Sequence, residues 1–162
     1  VEFDSSNRLR ELMDVIDQTE QKVLVFVPYR HTLQMLTEKV AAAGYVARVI
    51  HGGVSAPQRA EIIKQFQTED DVRILLMVPQ ATAHGITLTR ANQVVWWGPV
   101  SSTEIYLQAN ARAHRAGQKH NVTVTHLQGS PVERRVYTML QNKIDLHNEL
   151  VYLYRQELDI EI

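Results

Sequence analysis

The chain has 162 residues, 44% of them hydrophobic and 22% charged, which suits one globular domain with its own core and leaves little room for a second. Seventeen basic and eighteen acidic side chains give a formal net charge of -1, so the overall basic excess typical of many nucleic-acid-binding domains is missing and only a local basic patch is possible. The lack of cysteine excludes disulfides, thiolate metal sites and a cysteine nucleophile.

The spacing of apolar residues predicts alternating helices and strands. Asn7–Ile16 places its apolar side chains on one helical stripe. Val23–Val27 is short and wholly apolar, as expected of a parallel strand that is covered on both faces. The later elements are predicted as helices over Tyr29–Ala43, Ser55–Gln67, Ser102–Ala116 and Pro131–Gln156, and as strands over Tyr45–Ile50, Arg73–Val78, Gln93–Trp97 and Val122–Leu127.

Repeated strand and helix units predict an α/β fold. The sheet is expected to be parallel and covered by helices on both faces, because each right-handed crossover returns the chain to the same sheet. Gly44 follows one predicted helix in the usual C-terminal position, and Ser55 is expected to cap the next, with Pro57 in its first turn. Such sheets bind ligands at the carboxyl ends of their strands, which directs attention to the loops after Val27, Ile50, Val78 and Trp97.

Several site types are excluded or disfavoured by the sequence. It contains neither G-x-x-x-x-G-K-[ST] nor G-x-G-x-x-G, so the chain is not expected to bind a nucleotide by itself in the usual way. No serine lies in a G-x-S-x-G elbow. No metal site is expected, because four histidines are scattered over different loops and strands without the spacing of helical metal pairs: His51, His84, His114 and His126.

The sequence also gives expectations about location. No apolar run approaches the roughly 20 residues of a membrane span, and the N-terminal residues lack the layout of a signal peptide. We therefore expect a cytoplasmic or nuclear protein with no membrane contact. Because the sequence starts without methionine, it is also expected to be a fragment.

The string QANARAHRAGQ carries the most informative side chains. It begins at Gln108 and predicts that Gln108, Arg112 and Arg115 share one helical face. No acidic residue occurs between Glu104 and Glu133, so the two guanidiniums have no partner nearby in the sequence. Arginine suits phosphate, because its planar fork binds bidentately and stays charged. The spacing by itself favours the alternative of a solvated helix face with ion pairs to other elements.

The same string resembles motif VI of the superfamily-two helicases, in the form Q-A-x-x-R-x-x-R-x-G-Q that is characteristic of the Swi/Snf-related ATPases. In addition, KVLVFVPY resembles motif IV, HGGVSAPQRAEIIKQF the segment after it, and ATAHGITLTRANQVVWW motif V. SPVERRVYTMLQNK is similar to the T-x-E-E helix of that family. The resemblance covers about residues 7–154, and the H-G-I-T-L form of motif V is more similar to phage and bacterial members than to chromatin remodellers.

The resemblance implies the second, RecA-like lobe of a two-lobe, ATP-driven motor that moves along duplex DNA. ATP and Mg²⁺ would be held mainly by the first RecA-like lobe of the same polypeptide, which would carry the Walker lysine and the acidic Mg²⁺ ligands, so this chain alone is expected to be inactive. The implied lobe covers residues 1–162, with an N-terminal linker helix at 1–21, the sheet core at 22–128 and a long C-terminal helix at 130–157.

The resemblance also implies roles for individual residues. Arg115 would be the arginine finger that reaches the γ-phosphate, and Arg112 the second motif VI arginine. Gln108 would orient the nucleotide or couple it to closure of the lobes. Gly85 would allow a close approach of the backbone. Thr87 departs from the asparagine or aspartate usual at its position, so we assign it no catalytic role.

Contacts to the phosphates of the tracking DNA strand are expected mainly from loops at the carboxyl ends of strands. The candidates are Tyr29, Arg30, His31, His51, Gly52, Gly53, Ser55 and His84. For Ser55 the alternative is a helix cap alone, for Arg59 it is a brace for a neighbouring loop, and His84 could instead contact the other lobe.

Two apolar features are better explained by the core than by a ligand. Trp96 and Trp97 should face opposite sides of their strand, one in the core and one beneath a helix or at the lobe cleft, with base stacking as the minority interpretation. The stripe along the last helix predicts core packing: Val136, Leu140, Ile144, His147, Val151 and Tyr154.

Two other functions stay open at this stage. The first is a lobe of an RNA helicase, against which the A-H-R-A-G-Q run and the long helix after it argue. The second is a stand-alone module that binds nucleic acid or protein without catalysis. The intact pair Arg112 and Arg115 argues against that module, which would have no physical need for both arginines.

Overall fold

A five-stranded parallel sheet forms the centre of the computed structural model, which describes residues 6–115 and 117–143. Over these ranges the strands are β1 (Lys22–Phe26), β2 (Val46–Ile50), β3 (Val72–Met77), β4 (Ala91–Trp96) and β5 (Thr123–His126). The helices are α1 (Ser6–Gln18), α2 (Arg30–Ala42), α3 (Ala56–Thr68), α4 (Thr103–Ala111) and α5, described over 131–143. A short 3-10 helix, Pro79–His84, follows β3.

The strand order is β2-β3-β1-β4-β5, and each neighbouring pair is parallel. β1 lies in the middle, where Val25 pairs with Leu76 of β3 and with Val95 of β4. All five residues of β1 are buried, which explains why its sequence is almost wholly apolar. The predicted α/β fold is confirmed.

Helices cover both faces of the sheet. One core lies beneath α3, α4 and α5 and includes Phe26, Phe66 and Trp96, and the other lies beneath α1 and α2 and includes Leu12 and Trp97. The two tryptophans therefore face opposite sides, as predicted. Both indoles are buried, so neither is free to stack on a base.

The helix-end signals of the sequence are also confirmed. Gly44, just beyond α2, has φ +95°, in the left-handed region that favours glycine. The Ser55 hydroxyl accepts the N–H of Gln58, and the Gln58 side chain accepts the N–H of Ser55, which makes a capping box before α3. On α5, Val136 and Leu140 pack in the core as predicted. The predicted core residues Ile144, His147, Val151 and Tyr154 lie outside the described residues.

One ion pair joins the first and last described helices. Arg8 on α1 donates to the Trp97 carbonyl at 3.0 Å and pairs with the Glu133 carboxylate on α5. Glu133 also accepts the N–H of Gly129 at 2.9 Å. Because the Arg8 guanidinium lies 5.3 Å from the centre of the Trp97 ring, the pair covers the carboxyl end of β4.

Lys22 is a charged side chain buried at the start of β1. Its Nζ donates to the carbonyl oxygens of Phe66 at 2.6 Å, Val72 at 2.7 Å and Glu69. Burial lowers the pKa of Lys22, and the three carbonyls supply the hydrogen bonds that its ammonium group needs. This contact ties the end of α3 to the start of β1 and β3.

Within the described ranges, no helix has both the length and the apolarity needed to cross a membrane.

His126 on β5 lies half-buried between two tyrosines. Its Nε2 is 2.7 Å from the Tyr106 hydroxyl, and its ring stacks on Tyr137 with 4.3 Å between ring centroids. Burial lowers the pKa of His126 below its ordinary value of 6.5 and raises the pKa of both tyrosines. All three side chains are therefore neutral near pH 7, which suits a contact between the sheet, α4 and α5.

We expect Lys22→Met to lower the free energy of unfolding by about 2–4 kcal/mol, because three carbonyl oxygens lose their donor and methionine offers none. Urea unfolding of the chain, followed by circular dichroism, measures this change. Lys64→Met is the matched control, since Lys64 is exposed on α3, and it should change the free energy by less than about 0.5 kcal/mol. Equal effects of the two substitutions would contradict the role given to Lys22.

Stability should fall in acid partly through His126. The folded pKa lies below the unfolded value, so the unfolded chain takes up the proton first. The contribution of His126 is therefore complete above about pH 6.5 and is lost as the pH falls through the folded pKa. In urea unfolding at several pH values, the stability difference between wild type and His126→Gln should shrink from pH 7 to pH 5. A difference independent of pH would rule out this assignment, and His120→Gln, at an exposed histidine, is the control.

Candidate functional site

α4 ends earlier than predicted, and this changes how the candidate side chains are arranged. The helix stops at Ala111, Arg112 is its C-terminal cap, and turns replace the helix over 112–115. Gln108 is inside the helix while Arg115 lies beyond it, so the prediction of one shared helical face is wrong. We call residues 112–118 the arginine loop; Ala116 lies outside the described residues.

The last turn of α4 tightens where the helix ends. The N–H groups of Arg112 and Ala113 donate to carbonyls three residues earlier, that of Ala109 at 3.2 Å and that of Asn110 at 3.3 Å. The carbonyl of Arg112 accepts the N–H of Leu88 at 2.9 Å, and that of Ala113 accepts the side-chain amide of Gln118 at 2.9 Å. Both of these partners lie outside the helix, so the two carbonyls do not continue it. Gly117 then has φ +95°, which lets the chain turn away.

The segment after the 3-10 helix packs against the arginine loop. Gly85 has φ +71°, and a Cβ built there would lie 4.0 Å from Nη1 of Arg112. Glycine is favoured here by its backbone conformation rather than by lack of space. Arg115 donates from Nη1 to the Ile86 carbonyl at 3.3 Å. The fold thus brings Gly85, Arg112 and Arg115 together.

Neither arginine is neutralised within the described part of the chain. The ion pairs found there are Arg8–Glu133 and Arg90–Asp70, so Arg112 and Arg115 have no carboxylate partner among these residues. The Nε of Arg112 is buried and has no hydrogen-bond partner there. Two guanidiniums that are unpaired among the described residues can bind an anionic group, and in this part of the chain neither makes the ion pair to another element that the alternative expected.

Gln108 and Thr87 make no described hydrogen bond to Arg112 or Arg115. Gln108 is half-buried, and its amide donates to Glu104, one turn earlier on α4, at 3.4 Å. Thr87 is exposed between Ile86 and Leu88. The described contacts therefore hold Gln108 within α4 and give Thr87 no partner.

A second group of candidates lies at the carboxyl ends of β1 and β2. We call it the strand-end group: Tyr29, Arg30, His31, His51, Gly52 and Gly53. The N–H of Gly53 donates to Nδ1 of His51 at 2.9 Å, so a neutral His51 carries its proton on Nε2. A Cβ built at Gly53 would lie 3.1 Å from Nη2 of Arg30, which places this guanidinium beside the glycine.

The strand-end group is accessible. Tyr29 is 47% exposed, and its ring centroid is 6.2 Å from that of His31. A groove of about 660 Å³ is lined by Arg30, His31, Gln34, Glu38, Val49 and His51. Arg30 has no ion-pair partner within 6–115 and 117–143. The groove therefore offers one free guanidinium and two imidazoles next to an exposed aromatic ring.

Ser55, His84 and Arg59 are the remaining candidates. The Ser55 hydroxyl is engaged in the capping box, which both interpretations of this residue include. His84 ends the 3-10 helix, and its side chain lies outside the described part of the structure. Arg59 is half-buried on α3, with an Nε that has no hydrogen-bond partner among the described residues, so no bracing bond from this atom is found there.

The two groups lie at different ends of the sheet. The strand-end group follows β1 and β2, whereas the arginine loop contacts Leu88, just before β4 begins at Ala91. Of the loops to which the sequence directed attention, those after Val27 and Ile50 carry the strand-end group, and the segment after Val78 is the one that the two arginines contact through Ile86 and Leu88. All strands of a parallel sheet run in the same direction, so the arginine loop and the strand-end group are separated by about the length of β4.

Gln118 was not among the residues predicted to be functional. Its side chain bonds to the carbonyls of Ala91 and Ala113, the amide of Asn92 and the N–H groups of Lys119 and His120. The only signal in the sequence is its place as the last residue of QANARAHRAGQ.

Comparison with known proteins gives consistent relatives. The family described as helicase conserved C-terminal domain matches residues 6–117. The CHD3-type chromatin-remodeling factor CHR7 of Arabidopsis thaliana is 30% identical over 156 residues, which cover 93% of this chain and 13% of that protein. The SWI/SNF-related matrix-associated actin-dependent regulator of chromatin subfamily A-like protein 1 homolog of Caenorhabditis elegans is 31% identical over 131 residues, 80% of this chain and 19% of that protein.

A solved structure is also similar. It is the crystal structure of the C-terminal part of the Fun30 ATPase domain, with a TM-score of 0.75 and 26% sequence identity over 83% of this chain and 44% of that chain. This chain thus spans only 13% and 19% of the lengths of the two curated relatives.

Proposed function

This chain belongs to the family of helicase conserved C-terminal domains, and we propose that it is the second motor lobe of a Swi/Snf-related ATPase that moves along duplex DNA. The observation that carries the proposal is the pair of guanidiniums of Arg112 and Arg115, which lack a carboxylate partner among the described residues. We further propose that residues 1–162 form this lobe, with 1–21 as a linker helix, 22–128 as the sheet core and 130–157 as the C-terminal helix.

Hydrolysis needs parts that this lobe does not supply. The sequence has no phosphate-binding loop, so ATP and Mg²⁺ would be held mainly by the first RecA-like lobe of the same polypeptide. When bound, ATP supplies the γ-phosphoryl group that is transferred to water. This chain alone is therefore expected to be inactive toward ATP.

Arg115 is the proposed arginine finger. Its side chain is exposed, and its described hydrogen bond, to the Ile86 carbonyl, is long enough at 3.3 Å to be exchanged for a stronger, charge-assisted one. Closure of the two lobes would bring the guanidinium to the γ-phosphate, where it stabilises the negative charge of the transition state. Opening would withdraw it, so hydrolysis would depend on the movement of the lobes.

Arg112, Gly85 and Gln108 are proposed to complete the nucleotide-facing surface. The Nε of Arg112 is buried, whereas the Arg115 side chain is exposed. Gly85 leaves the backbone beside it uncovered, since no side chain is present. Gln108 would orient the nucleotide or couple it to closure, because its bond to Glu104 at 3.4 Å is long and can be exchanged.

The strand-end group is proposed to hold the phosphates of the tracking strand. Arg30 supplies a guanidinium without an ion-pair partner among the described residues, and His51, whose Nδ1 accepts from Gly53, can donate from Nε2. Gly52 and Gly53 let the DNA strand approach the protein backbone, and Tyr29 and His31 enlarge the surface that faces the DNA. Ser55 and His84 remain predicted contacts. Because the whole chain has a charge of -1, binding should be weak and sensitive to salt.

Duplex DNA is proposed rather than structured RNA, because both curated relatives are named for chromatin remodelling or chromatin regulation. A stand-alone binding module would give the two unpaired arginines no use. The expected location is the nucleus in a eukaryotic cell and the cytoplasm in a bacterial or phage-infected one. The similarity of motif V to phage and bacterial members stays a prediction.

Removal of the proposed finger should stop turnover without unfolding the lobe. In a two-lobe protein that carries this chain as its second lobe, Arg115→Ala should lower kcat for ATP by about 10³-fold or more, and Arg112→Ala should also impair turnover. Arg135→Ala, at an exposed arginine of α5, is the control and should leave kcat unchanged. Thermal unfolding verifies the fold of each variant. An unchanged rate for Arg115→Ala would exclude the assignment.

DNA binding should weaken when Arg30 is removed. In fluorescence anisotropy with a labelled duplex, Arg30→Ala should raise Kd for the chain and reduce the slope of log K against log salt by about 1, because one phosphate contact is lost. Lys64→Ala removes the same charge from α3, near the opposite end of the sheet, and should leave the slope unchanged. The same slope for wild type and Arg30→Ala would remove Arg30 from the proposed contacts.

A further inference from the structure

We infer that Gln118 is a positioning residue that holds the arginine loop, and with it Arg115, in the place where it can act. The inference rests on the proposed function, because it concerns the geometry of the proposed finger. Gln118 itself is expected to touch neither the nucleotide nor the reacting atoms.

The arginine loop cannot rely on a helix for its shape. α4 ends at Ala111, four residues before Arg115. The Arg115 side chain makes one described hydrogen bond, and the N–H of Gln118 donates to the Arg115 carbonyl at 3.1 Å to close a turn around Gly117. A glycine turn with open space around it constrains the chain little by itself. The loop therefore needs a contact with a rigid element.

Gln118 makes that contact with the start of β4. Its Nε2 donates to the Ala113 carbonyl at 2.9 Å, inside the loop, and to the Ala91 carbonyl at 3.1 Å, the first residue of β4. Its Oε1 accepts from the buried Asn92 at 3.1 Å. One amide therefore joins the loop to a strand that lies between β1 and β5 in the sheet.

The same oxygen also fixes the chain after the loop. Oε1 accepts the N–H of Lys119 at 3.0 Å and that of His120 at 3.2 Å. At the other end of the loop, the N–H of Leu88 holds the Arg112 carbonyl. The loop is thus anchored at its start by a backbone bond and at its end by a side chain, and Arg115 lies between the two anchors.

The position of the Gln118 anchor determines which arginine moves when its amide is lost. Loss of Gln118 frees the part of the loop after Arg112, whose own carbonyl stays bonded to Leu88. Arg115 should then be displaced more than Arg112. A displacement of about 1 Å in a group that stabilises the transition state can lower the rate by about 100-fold, while ground-state binding of ATP is little affected.

The kinetic test uses the two-lobe protein. Gln118→Met keeps the length of the side chain and removes its amide, and it should lower kcat about 10- to 100-fold with KM for ATP within about threefold of wild type. Gln128→Met, at an exposed glutamine before α5, is the matched control and should change neither value. A normal kcat for Gln118→Met would overturn the inference, as would a loss confined to KM.

The double variant separates positioning from a merely structural role. If Gln118 acts through Arg115, adding Gln118→Met to Arg115→Ala should lower kcat no further, whereas a general loss of stability would add its own decrease. If Arg115→Ala alone has no effect, the proposed function fails. If Arg115→Ala lowers kcat and Gln118→Met does not, only the positioning role fails.

A second readout needs no nucleotide. In the 162-residue chain, amide hydrogen exchange of Lys119 and His120 should accelerate about 10-fold in Gln118→Met, because their acceptor is lost. The Leu88 amide, which bonds to the Arg112 carbonyl and not to Gln118, should exchange at the wild-type rate, because that anchor remains. Unchanged exchange at Lys119 and His120, or equal acceleration at Leu88, would contradict an anchor that acts on the part of the loop after Arg112. Should Gln118→Met fail to fold, Gln118→Asn retains the amide but is too short to bridge Ala91 and Ala113, and the same kinetic and exchange results are expected of it.

Discussion

The hydrogen bond from the Leu88 N–H to the Arg112 carbonyl determines the arrangement of the candidate nucleotide site. It engages the carbonyl of the residue that caps α4, at the point where the arginine loop begins. It also holds the segment after Gly85 against that loop, where Ile86 meets Arg115. Two distant parts of the sequence, the H-G-I-T-L and the A-R-A-H-R segments, thus form one surface, joined by this backbone bond and by the bond from Arg115 to Ile86.

The rest of the fold supplies a rigid base for that surface. β4 has partners on both sides, and its apolar residues are buried in the two cores. At its carboxyl end, the Arg8–Glu133 pair fastens α1 and α5 together. At its other end, Gln118 ties the arginine loop to Ala91. A motor lobe that is moved as a unit needs such anchoring, because force on one loop must reach the whole sheet rather than deform it.

Local patterns in the sequence predict the parts of the fold that depend on neighbouring residues. The wholly apolar run at Val23 predicts a buried central strand, and Ser55 with Pro57 predicts the start of α3. The end of α4 at Ala111 is not visible in the apolar spacing, and the bonds of the next two carbonyls to Leu88 and to the Gln118 side chain depend on residues outside the helix. Sequence reasoning therefore identified Arg112 and Arg115 but wrongly placed them on a single helical face. No pattern indicates the five bonds of Gln118, since they depend on where β4 lies.

The central proposal is that this chain is the second lobe of a two-lobe, ATP-driven motor. Its most direct test is ATP hydrolysis by this chain and by a protein extended upstream through the first lobe, each with and without duplex DNA. The account predicts no turnover by the chain alone and DNA-stimulated turnover by the extended protein, because the two arginines need a nucleotide held by the other lobe. Hydrolysis by the chain alone, or no hydrolysis by the extended protein with DNA present, would contradict it.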